Sequence, residues 1–171
     1  AGRTLENHSG RAAVDGIVRA KQHLLTPNDD LSAVTSGENT EDFAAVYETY
    51  QHLLEVQRLY DYEDLIFQAV SFLESDITLK NYYRKMYPHI FVDEYQDINA
   101  AQDAILTALG RDGAEANRFL VGDVKQSIYR LRRAAPHLFQ AYADRWSQAL
   151  DQGTGVHLYT NVRSGPGIRA G

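Results

Sequence analysis

The apolar positions of this chain follow a helical period up to residue 88 and then change to short runs separated by helical stretches. From about Arg11 to Leu25, the residues Val14, Ile17, Val18, Leu24 and Leu25 recur at helical spacing until Thr26-Pro27 stops the run. Residues 1–10 are polar, contain Gly2 and Gly10, and are expected to fray. Asn28 to Asn39 reads as a loop with Asp29, Asp30, Ser36 and Gly37. Thr40 is the predicted N-cap of a second helix, with Glu41 and Asp42 in the first turn, where acids complement the helix dipole. Phe43, Val46, Tyr47, Tyr50, Leu53 and Leu54 give that helix one apolar stripe as far as about Leu59. Asp61 is predicted to cap a third helix, with Asp64 three positions later as in a capping box. Tyr62, Leu65, Ile66, Ala69, Val70 and Leu73 line its face, and a shorter helix with Leu79, Tyr82, Tyr83 and Met86 ends at Tyr87-Pro88. Tyr and Leu stripes at this spacing are read as core rather than as a cofactor box.

Beyond Pro88 the run Ile90-Phe91-Val92 predicts a buried strand. A helix over about 99–109 follows, with Ile98, Ala101, Ile105 and Leu109 on one face and Gly110 as its stop. Phe119-Leu120-Val121 predicts a second strand, ending in Gly122-Asp123, and Pro136 suits the first position of a helix carrying Leu138, Phe139, Tyr142, Trp146 and Leu150. Val156-His157-Leu158-Tyr159 predicts a third strand. Strand, helix, strand, helix, strand at roughly 30- to 40-residue spacing indicates right-handed βαβ units and a parallel sheet. The expected fold class is α/β, a βαβαβ sheet preceded by an all-helical segment.

Composition narrows the function classes. The 171 residues hold one ordinary domain, or a compact domain with a helical attachment, and 44% apolar content is ample for a core. No run approaches the ~20 apolar residues of a membrane span. With zero cysteines, a disulfide scaffold and a thiolate metal site are excluded, which fits an intracellular setting. The six histidines are scattered and suggest no metal site of their own. A net charge of −6 argues against a protein coated in basic charge, yet Lys125, Arg130, Arg132 and Arg133 fall within nine residues and leave room for a local basic groove. A solvated helix face is the bland reading of that cluster. The chain starts Ala1-Gly2-Arg3 without Met and stops at Arg169-Ala170-Gly171 just after a motif, as expected of a piece of a longer protein.

The candidate chemistry lies where the strands end. Strand 90–92 closes on two adjacent carboxylates, Asp93 and Glu94, with Asp97 close behind. Stability does not ask for such a pair, because like charges repel and resist burial. A pair that holds a divalent cation and activates a water does explain it. The second strand ends near Asp123 and Gln126, and the third near Asn161 and Arg163. In open parallel sheets ligands bind outside the carboxyl ends of the strands, so these groups are expected to converge on one edge. Two acids, an amide and an arginine suit phosphoryl transfer.

The wording of the motifs sharpens this. Val92-Asp93-Glu94-Tyr95-Gln96-Asp97-Ile98-Asn99, with Gln102 following, resembles motif II of the UvrD/Rep-like superfamily 1 DNA helicases. Val121-Gly122-Asp123-Val124-Lys125-Gln126-Ser127-Ile128-Tyr129-Arg130 resembles their motif III, and its Lys-Gln-Ser-Ile-Tyr-Arg wording is most similar to that of RecB/AddA helicase-nucleases. Asn161-Val162-Arg163-Ser164 resembles motif IV, and Asp61-Tyr62-Glu63-Asp64-Leu65 resembles the acidic-aromatic segment that precedes motif II.

The resemblance implies ATP and Mg²⁺ as cofactors. Asp93 is expected to coordinate the metal and Glu94 to act as general base for the hydrolytic water. It further implies that Gln126 contacts the γ-phosphate, that Arg163 is one of two arginines on it, and that Tyr129 and Arg132 face single-stranded DNA. Asp97, as a helix cap, and Arg130 are expected to be structural. Residues 1–60 would be the end of the helical insertion of the first motor domain. Residues 61–171 would be the later part of that RecA-like, P-loop-NTPase-like domain, with motifs II, III and IV. Expected partners are single-stranded or duplex DNA, the remainder of the motor and a partner nuclease, with no membrane. The expected setting is the bacterial cytoplasm, at the nucleoid, in DNA repair and recombination.

Three residues depart from the family pattern. Leu131 replaces an aromatic that stacks on a base, Arg133 replaces a glycine, and Val162 replaces the aromatic that packs on adenine. None of the four lysines follows a glycine, so the Gly-x-x-x-x-Gly-Lys-Ser/Thr loop that cradles a triphosphate is not in this chain. The leading expectation is therefore a segment of an ATP-dependent DNA helicase that does not hydrolyse ATP alone. A degenerate helicase-like module kept for DNA or protein binding is the alternative. A metal-dependent nuclease using Asp93, Glu94, Asp97 and Asp123 ranks last.

Overall fold

A computed structural model describes residues 7–35, 39–123, 136–148 and 155–156. Four helices come first: α1 (Asn7–Gln22), α2 (Thr40–Gln57), α3 (Tyr62–Ser75) and α4 (Ile77–Met86). A strand β1 (Ile90–Val92), a 3₁₀ turn (Tyr95–Asp97) and helix α5 (Ala100–Leu109) lead to strand β2 (Arg118–Leu120), and helix α6 (Pro136–Gln148) follows. The change of period near residue 90 is thus a real change of architecture.

Helix α1 begins at Asn7, inside the stretch expected to fray, and of its predicted stripe Ile17 is buried and Val18 partly buried. Ala13, Ile17, Ala20 and Lys21 are buried, whereas Val14 is half-exposed. Small residues let α2 come close: a Cβ on Gly16 would lie 2.6 Å from the Phe43 ring. The helix stops before the predicted Leu25 because Leu24 adopts a left-handed φ of 58°, and Leu25 N–H donates back to the Ala20 carbonyl at 2.9 Å. The loop after it is not solvent-facing throughout. Leu31 and Val34 join Ile17, Ala20, Phe43 and Tyr47 in one apolar cluster.

The N-cap of α2 is Asn39 rather than Thr40, with its side chain accepting from Glu41 N–H. Arg58, left-handed at φ 56°, closes the helix just before the predicted end. The capping box of α3 is as predicted, with the Asp61 carboxylate accepting from Asp64 N–H and the Asp64 carboxylate from Asp61 N–H. Val70 and Leu73 of α3 are buried, but Tyr62 and Leu65 are exposed and do not belong to its packed face.

Strands β1 and β2 pair in parallel with Ile90 opposite Arg118, Phe91 opposite Phe119 and Val92 opposite Leu120. With α5 between them they form one βαβ unit. β2 sits one residue earlier than predicted, although Val121 still continues the ladder by donating to the Val92 carbonyl at 2.8 Å. The strands are not buried on both faces. Phe91 and Phe119 are 76% and 59% exposed, ring to ring at 5.9 Å. Among the described residues only one side of this sheet is well covered, where a parallel sheet within a complete domain covers both. On that covered side Arg118 reaches the Tyr142 hydroxyl of α6 at 3.2 Å. Of the predicted third strand only Val156 is described, and it lies outside any strand.

Candidate active site

The chain leaves β1 at Val92 and reverses at once. Asp93 and Glu94 form the tip of that reversal, both exposed, while Tyr95 and Gln96 turn inward and are each 1% exposed. Glu94 takes a left-handed backbone (φ 53°, ψ 41°), a conformation that costs a non-glycine residue on the order of 1–3 kcal/mol. Such strain persists only when neighbouring contacts hold it. Asp93 accepts from Glu94 N–H at 3.0 Å, and Tyr95 N–H donates to the Val121 carbonyl at 2.8 Å, so the turn is tied to the end of β2.

Below the turn an aromatic and polar network fixes Tyr95. Its hydroxyl donates to the Asp103 carboxylate of α5, and the Tyr142 hydroxyl donates to the same carboxylate at 3.4 Å. Tyr142 also meets the Thr107 hydroxyl at 3.1 Å and stands edge-on to Tyr95, with ring centroids 5.8 Å apart. Burial, and then the bond to Asp103, push the Tyr95 hydroxyl far above the usual tyrosine value, so it remains a donor.

Gln96 bridges the two strand ends. Its Nε2 donates to Glu94 Oε2 at 2.6 Å, and its Oε1 accepts from Asp123 N–H at 2.9 Å. Asp93, Glu94 and the backbone of Asp123 are thereby gathered at the carboxyl edge of the β1–β2 pair. Gln126, Tyr129, Arg132 and Arg163, together with Arg130, Leu131, Arg133 and Val162, lie outside the described residues. Asp97 is not the helix cap it was expected to be. Asn99 caps α5 in a capping box with Gln102, and the Asp97 Oδ1 atom is buried without a hydrogen-bond partner. Gln96 and Tyr95 were absent from the predicted site residues. A polar side chain beside two acids gives no periodic signal of its burial.

A second polar centre stands apart from this edge. Lys21 of α1 is buried, with its ammonium 2.6 Å from Asp61 and 2.7 Å from Asp64. Tyr50 donates to Asp61 at 2.9 Å, and Gln51 to Asp64 at 3.2 Å. The acidic-aromatic segment therefore begins α3 and anchors α1 to it. Burial works to raise the Asp61 pKa, but Lys21, the Asp64 amide and Tyr50 outweigh it and hold the group below the usual carboxylate value.

Residues 3–146 match the family described as the UvrD/REP helicase N-terminal domain. The chain belongs to that family. Two similar curated relatives are each named as one subunit of an ATP-dependent helicase/nuclease. The one from Natranaerobius thermophilus is 37% identical over 151 residues, covering 88% of this chain and 12% of its own length. The one from Streptococcus pyogenes serotype M5 is 35% identical over 128 residues, covering 74% of this chain and 10% of its own. The chain thus spans about a tenth of the curated relatives it matches. Within this UvrD-like domain no described helix is long and apolar enough to cross a membrane.

Proposed function

We propose that this chain is the later part of the first motor domain of an ATP-dependent DNA helicase or translocase. It would carry the metal-binding and water-activating elements and part of the phosphate-sensing and DNA-facing ones. The observation behind this is the strained Asp93-Glu94 turn at the carboxyl edge of a parallel βαβ unit, in a chain of the UvrD/REP family. Glu94 takes the proton of the attacking water as general base. Gln126 contacts the γ-phosphate and Arg163 neutralises charge on it, a role that can be worth about 10³–10⁵ in rate. Tyr129 and Arg132 hold single-stranded DNA by stacking and by charge.

Mg²⁺ fits this edge by the chemistry of its donors. Mg²⁺ retains several waters and binds through one or two carboxylates plus substrate phosphates, so no protein cage is needed. Asp93 offers one exposed hard carboxylate, and among the described residues no group of three or more His, Asp or Glu could hold a metal unaided. When bound, the cation neutralises charge on the phosphate oxygens.

The triphosphate-cradling loop and the second motor domain are supplied by the rest of the parent protein, so residues 1–171 alone do not turn over ATP. Residues 1–60 are the end of the helical insertion and 61–171 the motor portion. The relatives' name supports a nuclease working alongside the motor in the parent, and repair or recombination as its setting.

The test is ATP hydrolysis by the intact parent. Hydrolysis that rises with single-stranded DNA and falls in Asp93→Asn supports the motor. A parent that binds DNA without such hydrolysis is a non-catalytic helicase-like module instead.

A further inference from the structure

We propose that Gln96 is a positioning residue for Glu94, tying that carboxylate to the Gly122-Asp123 backbone just beyond β2. The proposal rests on Glu94 being the base that takes the water's proton. A buried side-chain amide must find partners for both its ends. Here the ends cannot be exchanged: a backbone N–H needs the carbonyl oxygen, and a carboxylate needs the amide N–H. With Asp123 N–H on Oε1 at 2.9 Å and Glu94 on Nε2 at 2.6 Å, the orientation of the amide is set from both sides.

Two further observations point the same way. Glu94 sits on an exposed, left-handed turn, and a long side chain there keeps its rotamer freedom unless something fixed receives it. The 1% exposed Gln96 is that fixed receiver. Second, two residues beyond β2 the chain has a glycine where Gln96 needs room. A Cβ on Gly122 would stand 2.6 Å from Gln96 Oε1 and 3.1 Å from the Phe139 ring. Any displacement of the Gly122-Asp123 backbone must therefore move the amide, and with it the carboxylate.

The experiment uses the intact parent protein with variants Gln96→Ala, Gln96→Glu and Gly122→Ala. Misplacing a reacting group by about 1 Å can cost about 10²-fold, so kcat for DNA-stimulated hydrolysis is expected to fall by about that factor in each. KM and binding of a non-hydrolysable ATP analogue should stay within about twofold of the parent. Gln96→Glu keeps size and shape but sets a carboxylate against Glu94, so it should lose kcat as Gln96→Ala does. In a Gln96→Ala background, adding Gly122→Ala should cost less than it does alone, because its contact with Gln96 Oε1 is gone and only that with the Phe139 ring remains.

An unchanged kcat in Gln96→Ala overturns the proposal. So does a loss shared equally by hydrolysis and analogue binding, which marks a merely structural residue. Losses that multiply in the double variant overturn it as well. Glu94→Gln, run alongside, separates the two levels: normal turnover there removes the base itself. A dead Glu94→Gln with a normal Gln96→Ala removes only the positioning role.

Discussion

Lys21 and Asp64, 43 positions apart, form a 2.7 Å ion pair between side chains that are 1% and 8% exposed. Asp61 completes the centre at 2.6 Å, so one lysine of α1 holds both acids that begin α3. Replacing a buried pair by apolar groups can be neutral, but removing one partner strands the other charge. Lys21→Met should therefore lose about 3–5 kcal/mol of stability, read as a shift in the urea midpoint. A midpoint unchanged in Lys21→Met would show that the two carboxylates do not depend on the lysine.

The same centre sets an acid limit. Asp61 has a folded pKa below its unfolded value, so it binds fewer protons when folded. Its contribution is complete above the unfolded value of about 3.9 and is lost as pH falls through the depressed folded value. Unfolding midpoints should drop steeply below about pH 4, and Asp61→Asn should flatten that limb. An equally steep limb in Asp61→Asn would place the acid sensitivity elsewhere.

Gly16 offers a test of packing against propensity. Inside a helix Gly→Ala ordinarily gains up to about 1 kcal/mol. Here the new Cβ would meet the buried Phe43 ring at 2.6 and 2.9 Å. Overpacking of a core costs about 1–3 kcal/mol, so Gly16→Ala should be net destabilising in a urea titration. A gain in stability would mean that α1 and α2 are free to move apart.

What could be read in the sequence was local. The α3 capping box, the Asp93-Glu94 step at the end of β1 and the strand–helix–strand order all follow from residues a few positions apart. What could not be read depends on distant partners. Nothing near Lys21 marks it as buried, since a lysine on a helix is usually solvated, and its two acids lie 40 and 43 positions away. Phe91 was expected inside because of its apolar run, but a short run does not say how many faces of its sheet are covered. Gln96 is hidden by its neighbours. It belongs to the same motif as the acids, yet only the fold shows that it faces inward and meets the end of β2.

The network beneath the turn makes a further prediction. Tyr142→Phe removes a hydroxyl shared by Thr107, Arg118 and Asp103. Leaving such buried groups short of a partner costs about 1–3 kcal/mol, measured by thermal unfolding. An unaffected melting temperature would mean that water replaces the hydroxyl at no cost.

The role of Glu94 is decided by single-turnover hydrolysis of bound ATP by the intact parent carrying Glu94→Gln, with single-stranded DNA present. Loss of a general base should slow that step by about 10²–10⁴-fold while ATP still binds. Hydrolysis at the parental rate would contradict the assignment of Glu94, and with it the account of the turn at the end of β1.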